Sequence, residues 1–82
     1  MVIVPERQAV LDAANLLLQN KEAKALNYAV GYARELRDII FRDDPDNAIT
    51  IQCRYVLNNM QYWRGDAAKQ VRSALKAWID AP

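Results

Sequence analysis

The chain has 82 residues, of which 52% are hydrophobic, and 11 basic against 10 acidic residues give it a net charge of +1. A chain of this length is predicted to be a single domain, residues 1–82, with a thin core, because it buries only about 60–65% of its unfolded surface. A nearly neutral chain has no strong long-range field, which argues against charge-driven binding to nucleic acid or membranes.

The composition contains few of the residue types that catalysis or metal binding usually needs. The chain has no His, one Cys and two Gly, so it lacks the usual general base, the commonest metal ligand and a Gly-rich phosphate loop. Cys53 has no second cysteine with which to form a disulfide, as expected in a reducing cytoplasm. We therefore predict a cytoplasmic protein that is not an enzyme and that uses no cofactor or metal.

Membrane insertion and secretion are not expected from the sequence. The longest uninterrupted apolar run has four residues, whereas a membrane-spanning helix needs about 20. That run stands at the N-terminus with no basic residues before it, so we expect no signal peptide.

The first predicted helix covers residues 5–19. Pro5 suits the first helical position, where its missing N–H is not needed. The buried face is predicted from the i, i+3, i+4, i+7 spacing of Val10, Ala13, Ala14 and Leu17. Asn20 is the predicted break.

The second predicted helix covers residues 21–42. Its apolar stripe consists of Leu26, Ala29, Val30, Ala33, Leu36, Ile40 and Phe41. Gly31 stands inside this helix, where it costs about 1 kcal/mol relative to Ala. Three interpretations are open for Gly31: a tight helix crossing, simple tolerance of a glycine in the helix, and a hinge.

The third and fourth predicted helices cover residues 46–63 and 67–79. Asp44 or Asp46 is expected to cap the third helix, and Gly65 is expected to end it in a left-handed conformation. The inner stripe of the third helix is Ile49, Cys53, Val56, Leu57, Met60 and Trp63, and that of the fourth is Ala68, Val71, Leu75, Trp78 and Ile79.

These elements predict an all-α fold, a small antiparallel bundle of four helices. The second and third helices are expected to form a long centre, and short connections at 20–21, 43–45 and Gly65 favour antiparallel neighbours. A three-helix arrangement with the first helix docked loosely is the alternative. The predicted core is Val10, Leu17, Leu26, Val30, Leu36, Ile40, Ile49, Val56, Leu57, Met60, Leu75 and Trp78.

A second line of residues, rich in tyrosine, lies outside the predicted core stripes. It consists of Ile51, Tyr55, Asn58 and Tyr62 on the third helix and Tyr28, Tyr32, Glu35 and Ile39 on the second. Tyrosine offers an apolar ring and a polar hydroxyl, which suits surfaces that bind a partner yet stay soluble alone. The two interpretations are a partner-binding surface, formed by Tyr28, Tyr32, Ile51, Tyr55 and Tyr62, and helices that bury two faces.

A basic edge is the remaining charged feature. Arg64, Lys69, Arg72 and Lys76 follow a helical spacing, and such a row of cations is able to neutralise phosphates. A solvated helix face is the better explanation for this row. The acidic residues at 43–46 lack the Gly and Glu that an EF-hand loop requires.

From the composition and the tyrosine-rich helix faces we predict a non-enzymatic protein-interaction module, self-associating as a homodimer or binding another protein. The alternative is a small nucleic-acid-associated regulator that uses the basic edge.

Overall fold

Four α-helices of nearly equal length build the protein, in a computed structural model that describes residues 2–81. Met1 and Pro82, the ends of the predicted domain, lie outside the described residues. The helices are α1 (Pro5–Gln19), α2 (Ala29–Phe41), α3 (Asp46–Asn59) and α4 (Asp66–Asp80), with a 3-10 turn at Lys24–Leu26. Residues 2–81 contain no β-strand. The predicted all-α bundle of four helices is confirmed.

The helices pack in a closed cyclic order. Each helix contacts the next one along the chain, and α4 returns to contact α1. Neighbours are antiparallel: the start of α1 meets the α2–α3 junction through Arg7 and Asp43, and the end of α4 meets the start of α3 through Trp78 and Thr50. Val10 and Leu17 of α1 are fully buried, so the alternative of a loosely docked first helix is wrong.

Most of the predicted core is buried. Nine of the twelve residues are buried, and the other three, Val30, Leu57 and Trp78, are half-buried and pack against that core. Two further expectations are wrong. Phe41 is half-exposed rather than part of the inner stripe, and Ile39, which we placed on the outer row with the tyrosines, is buried. Position 39 faces the α2–α3 contact, where the neighbouring helix covers it.

The second helix begins eight residues later than predicted, at Ala29. Asn20 ends α1, because its side-chain amide donates to the Leu16 carbonyl at 2.9 Å. Between there and α2, Leu26 is the one buried side chain, held in the 3-10 turn. One buried residue does not form an apolar helix face. Because packing of such a face supplies most of the stability of a helix, α2 does not extend back into this segment. With 13 and 14 residues, α2 and α3 are no longer than the other helices, so the predicted long centre is also wrong.

The third helix ends at Asn59 rather than at residue 63. Met60 leaves the helical conformation, and Trp63 returns to the core from the following turn. Arg72 of α4 stabilises this turn, because its guanidinium donates to the backbone carbonyls of Met60 at 3.0 Å and Gln61 at 3.3 Å, and also to that of Trp63. These carbonyls lie beyond the last residue of α3, so the charged donor of α4 holds the turn against the bundle.

The junction between α2 and α3 is built differently from the prediction. Asp43 adopts a positive φ of 58°, and the N–H groups of Asp43 and Asp44 donate to Ile40 and Ile39 at 3.1 Å each. This is a Schellman ending, with Asp in the place usually taken by Gly. Pro45 is the N-cap of α3, and no described side chain caps that helix. The expected capping by Asp44 or Asp46 is therefore wrong.

The backbone conformation at residue 65 requires a glycine, but it is not the conformation that we predicted. It has φ 108° and ψ −178°, which is not the left-handed helical conformation but a region essentially reserved for Gly. It serves as the N-cap of α4 and lies six residues beyond the end of α3. The sharp change of direction before α4 therefore depends on this glycine.

Candidate functional site

The largest group of exposed aromatic side chains lies on the outer side of α2 and α3. The core face of α2 is formed by Ala29, Ala33, Leu36 and Ile40, and that of α3 by Ile49, Cys53 and Val56. Side chains that point away from these faces lie on the outer surface of the two helices. We call the exposed surface formed by Tyr28, Tyr32, Ile51 and Tyr55 the tyrosine seam.

Two rings stack across the tyrosine seam. The ring centroids of Tyr32 and Tyr55 are 5.5 Å apart, with an angle of 26° between the ring planes. This separation is in the favourable range for aromatic pairs. Even so, Tyr32 is 40% exposed and Tyr55 is 48% exposed. The two rings therefore shield each other on one face only and present the remaining surface to the outside.

A buried amide holds the base of the tyrosine seam. Gln52 points from α3 towards α2 and is buried, and its Nε2 donates to the backbone carbonyl of Tyr32 at 3.0 Å. No buried side-chain nitrogen or oxygen in residues 2–81 lacks a hydrogen-bond partner. Buried polar groups that are fully satisfied fix the relative position of the elements they join. The exposed rings thus stand on a rigid base.

A groove of about 360 Å³ opens beside the stacked rings and is lined by Tyr28, Gly31, Tyr32, Glu35, Gln52 and Tyr55. Gly31 is exposed, and a Cβ added to it would meet no heavy atom of the described residues within 4 Å. The interpretation of Gly31 as a tight helix crossing is therefore wrong. Gly31 lies inside the continuous helix α2, as simple tolerance of a glycine at this position would allow.

The predicted partner-binding residues are exposed, but they do not form one row. Tyr28 precedes α2 and is 81% exposed, and Ile51 lies one helical turn before Tyr55 on α3. Tyr62 is 75% exposed and belongs to the turn after α3. Because α3 ends at Asn59, the predicted helical row stops before Tyr62. The tyrosine seam consequently contains four of the five predicted residues.

Charged side chains of both signs flank the tyrosine seam. On α2, Glu35 accepts a hydrogen bond from Arg42 at 3.0 Å, and Asp38 lies 3.8 Å from Arg37. Arg34 is also exposed on this helix. Hydrogen bonds to Glu35 and to Asp44 raise the pKa of Arg42 above its ordinary value. On α3, Arg54 is exposed and forms no ion pair with any described residue. The acidic groups of α2 are therefore already paired, and Arg54 is a free cation on α3.

The predicted basic edge is only partly available. Arg64, Lys69 and Lys76 are exposed. Arg72 is half-buried, and its guanidinium is engaged by the carbonyl groups of the turn after α3. The row therefore loses its central cation to a structural role, and three charges remain at the surface.

A larger groove, which the sequence did not predict, lies where the start of α1 meets α3 and the end of α4. It has a volume of about 570 Å³ and is walled mainly by alanines and Trp78. The Trp78 indole N–H donates to the Thr50 hydroxyl at 2.9 Å. Arg7 at its rim is paired with Asp43 at 3.1 Å and Asp46 at 2.6 Å. No sequence signal links these residues, because they come from three different helices and one junction.

The remaining reactive groups do not assemble into a site. Cys53 is fully buried, and burial raises the pKa of its thiol to about 12, so the thiolate needed for nucleophilic chemistry does not form near neutral pH. Within residues 2–81, no three His, Cys, Asp or Glu side chains group so as to hold a metal ion. The acidic residues at 43–46 are engaged instead with Arg7 and Arg42.

None of the described helices is long and apolar enough to cross a membrane. Comparison of the chain with family models, with curated proteins and with solved structures finds no match.

Proposed function

We propose that the protein is a non-enzymatic protein-interaction module that docks through the tyrosine seam. The observation that carries this proposal is the exposed stack of Tyr32 and Tyr55 on a base fixed by Gln52. Both helices already bury complete apolar faces without these rings. The rings are therefore surplus to the core, which is what a binding surface provides.

The chemistry of the tyrosine seam supports protein binding in particular. Tyr is enriched at protein interfaces, because a rigid ring buries a large area while few rotatable bonds lose freedom. Ile51 and the half-exposed ring faces supply apolar contact, and the hydroxyl groups keep the free protein compatible with water. A surface whose rings are already held by Gln52 loses little conformational entropy on binding.

A catalytic role has weaker support. A catalytic site on α3 would have to use its polar residues Arg54, Tyr55, Asn58 and Asn59. Of these, Asn59 donates its side-chain amide to the Tyr55 carbonyl of its own helix at 2.8 Å. Arg54 and Asn58 are exposed, whereas a general acid or base works best when burial or a neighbouring charge tunes its pKa.

The nucleic-acid alternative also has weaker support. With Arg72 engaged in the turn, the available cations of the basic edge are Arg64, Lys69 and Lys76. Each phosphate neutralised contributes a salt-dependence slope of about 0.9, so three contacts give weak, salt-sensitive binding. A mobility-shift assay with DNA and RNA at low salt tests this alternative. A shift that disappears in Lys69→Ser/Lys76→Ser would establish it.

The experiment that tests the proposed function compares the wild type with Tyr32→Ser/Tyr55→Ser. Self-association is measured by size-exclusion chromatography with light scattering over a hundredfold concentration range. Binding to other proteins is measured by cross-linking and quantitative capture from the cells that make the chain. Lys69→Ser/Lys76→Ser on α4 is the matched control, because it also replaces two exposed side chains.

We expect association, with itself or with another protein, that is lost in the tyrosine variant and kept in the lysine control. Circular dichroism is expected to show that both variants keep the helical content of the wild type. Association that is indifferent to the tyrosine substitutions contradicts the proposal, as does a wild type that associates with nothing. Unfolding of Tyr32→Ser/Tyr55→Ser would instead support the interpretation of these rings as core.

A further inference from the structure

We propose that the groove beside the stacked rings binds a trimethylammonium group, carried on a trimethylated lysine side chain of the partner protein. This inference rests on the proposed function and adds the chemistry by which the partner is recognised. It is carried by three features of the groove: the tyrosine rings along it, the open floor at Gly31, and the absence of Lys and Arg among the described residues that line it.

One side of the groove is a row of residues along α2 and the turn before it. Tyr28, Gly31, Tyr32 and Glu35 line the groove at the spacing i, i+3, i+4, i+7, which places them on one helix face. The backbone of Tyr28 is already in the right-handed helical region, with φ −88° and ψ −24°, so this face extends one turn before α2. Tyr55 of α3 lies on the other side, stacked on Tyr32. Three rings therefore line one open space.

Gly31 leaves the floor of the groove open. A Cβ at this position would meet no heavy atom of the described residues within 4 Å, and any longer side chain would stand in the row between Tyr28 and Glu35. Gly is unfavourable in a helix interior, and no described neighbour packs closely enough to require it. The volume of about 360 Å³ is at the small end of ligand clefts, which span about 300–1,000 Å³. The groove therefore suits the end of one side chain.

The rings favour a positively charged occupant. The face of an aromatic ring is the negative part of its quadrupole, and it attracts a cation within about 6 Å of the ring centroid. Tyr32 and Tyr55 shield each other on one face only, and Tyr28 is 81% exposed. Free ring surface of all three tyrosines is thus available to a cation in the groove.

The ion pairs next to the groove add to this preference. Arg42 is the guanidinium nearest to the lining residues, because it donates to Glu35 at 3.0 Å and to Asp44 at 3.1 Å. Two carboxylates and one guanidinium leave this cluster with a net charge of −1. The positive charge of Arg42 is therefore more than compensated.

The other cations of the two helices point elsewhere. At about 100° per residue, Arg34 and Arg37 lie about 160° and 140° around α2 from Tyr32, and Arg54 lies about 100° around α3 from Tyr55. None of the three lines the groove. They do not occupy the space that the proposed cation takes.

The pairing of Glu35 also indicates which cation fits. An ammonium group has three N–H donors and a guanidinium has five, and each donor needs an acceptor when it leaves water. Oε1 of Glu35 is already used by Arg42, so the groove offers no free carboxylate fork. A trimethylammonium group has no donors and places methyl groups against the rings, which is the chemistry that aromatic cages recognise.

The test is an NMR titration of the labelled protein with N-acetyl-trimethyllysine methylamide. We expect saturable shifts at the Gly31 backbone N–H and the Gln52 side-chain amide. The Trp78 indole N–H, which lies in the larger groove, is the internal control and is expected to stay unchanged. The neutral isostere with carbon in place of nitrogen, and unmethylated N-acetyl-lysine methylamide, are each expected to bind at least about fivefold more weakly. Equal binding of the neutral isostere would overturn the inference.

Three substitutions locate the bound probe. Tyr28→Phe keeps the ring and is expected to keep the affinity, whereas Tyr28→Leu is expected to lose about fivefold. Gly31→Leu fills the groove from its floor and is expected to abolish binding while the helical content is kept. Tyr62→Leu is the matched control, because Tyr62 is a similarly exposed tyrosine outside the groove. Probe binding that survives in Gly31→Leu would overturn the proposed site.

Further outcomes separate this inference from the proposed function. Phosphatidylcholine vesicles carry the same trimethylammonium group, and their co-sedimentation with the wild type but not with Gly31→Leu would overturn a lysine as its source. Capture of a protein that requires Tyr32 and Tyr55 but is not competed by the probe overturns this inference and leaves the proposed function standing. Probe binding by a protein that captures no partner overturns the proposed function and the protein source together, while the cation site remains.

Discussion

The side chain of Gln52 links α3 to α2 by donating its Nε2 hydrogen to the backbone carbonyl of Tyr32 over 3.0 Å. Gln52→Leu keeps the approximate volume but removes this interhelical bond. We expect the free energy of unfolding to fall by about 1 kcal/mol, the usual net value of one hydrogen bond. Urea denaturation measures this change.

The matched control for Gln52 is Asn59→Ala. The Asn59 amide bonds only to the carbonyl of Tyr55 in the same helix, so its loss breaks no link between helices. We expect this control to change the free energy of unfolding by less than about 0.5 kcal/mol. Equal effects of the two substitutions would mean that the interhelical bond of Gln52 contributes nothing particular.

The two glycines are expected to respond to alanine with opposite signs. An added Cβ meets no heavy atom of the described residues within 4 Å at either position, so sterics with neighbours do not separate them. Gly31 lies in α2, and Gly31→Ala is expected to stabilise the isolated subunit by about 1 kcal/mol. Gly65 has φ 108°, and Gly65→Ala is expected to destabilise by about 1–3 kcal/mol.

Thermal denaturation at low protein concentration measures both glycine variants on the free subunit. A Gly31→Ala variant that loses stability, or a Gly65→Ala variant that gains it, would contradict these assignments.

Arg72 is expected to be the most important residue of the predicted basic edge for stability. Arg72→Met keeps the aliphatic stem and removes the donors to three carbonyls of the turn after α3. Hydrogen bonds from charged groups are worth about 1.5–3 kcal/mol, and we expect a loss in that range on urea denaturation. Lys69→Met, on the exposed side of the same helix, is expected to stay within about 0.5 kcal/mol.

Cys53 is expected to be unreactive in the folded protein. Burial raises the pKa of its thiol to about 12 from an ordinary value of 9.0. We expect a thiol reagent at pH 8 to modify it only as fast as the protein unfolds, and to modify it rapidly in urea. Fast modification of the folded protein would contradict the buried position.

The same pKa shift predicts how stability depends on pH. Below pH 9 the thiol is protonated in both the folded and the unfolded chain, and its contribution to stability is complete. Above pH 9 the unfolded chain loses this proton first, which favours unfolding. We expect stability to fall between pH 9 and 12, by at most about 1.4 kcal/mol per pH unit from this group. Cys53→Ala is the control, and its stability is expected to lack this contribution to the pH dependence.

The helices that carry a clear signal at each end were predictable. For α1, Pro5 and Asn20 mark the boundaries, and the observed helix covers the predicted residues. For α4, the prediction is off by one residue at each end. Apolar spacing alone also identified most of the core, because the 3.6-residue period leaves one face of each helix to bury.

The errors arose where a distant residue decides the local structure. The segment before α2 is shaped by the burial of Leu26, and the turn after α3 depends on Arg72, which lies 12 residues from Met60. Neither effect has a periodic signal. Without the true end of α3, Tyr62 was assigned to a helical row that it does not continue.

The candidate site was predictable in its residues but not in its assembly. The tyrosines stood out as surplus to the core stripes, yet the sequence left open whether they are buried or exposed. The stack of Tyr32 and Tyr55 joins residues on different helices, and the lining role of Gly31 depends on the space beside them. Both are properties of helix packing and not of local sequence.

The cyclic order of the helices has a practical consequence for how this protein is handled. Val4 and Ala81 line the same groove, so the path into α1 and the path out of α4 lie side by side, at the end of the bundle where α2 passes into α3. Tyr32 lies ten residues from Arg42 at that end, about 15 Å along the helix, so a tag or fluorescent fusion attached at either end would be separated from the stacked tyrosines. A short bridge between the two ends, with the chain reopened at the exposed pair Lys21 and Glu22, would yield a circular permutant that presents the same face.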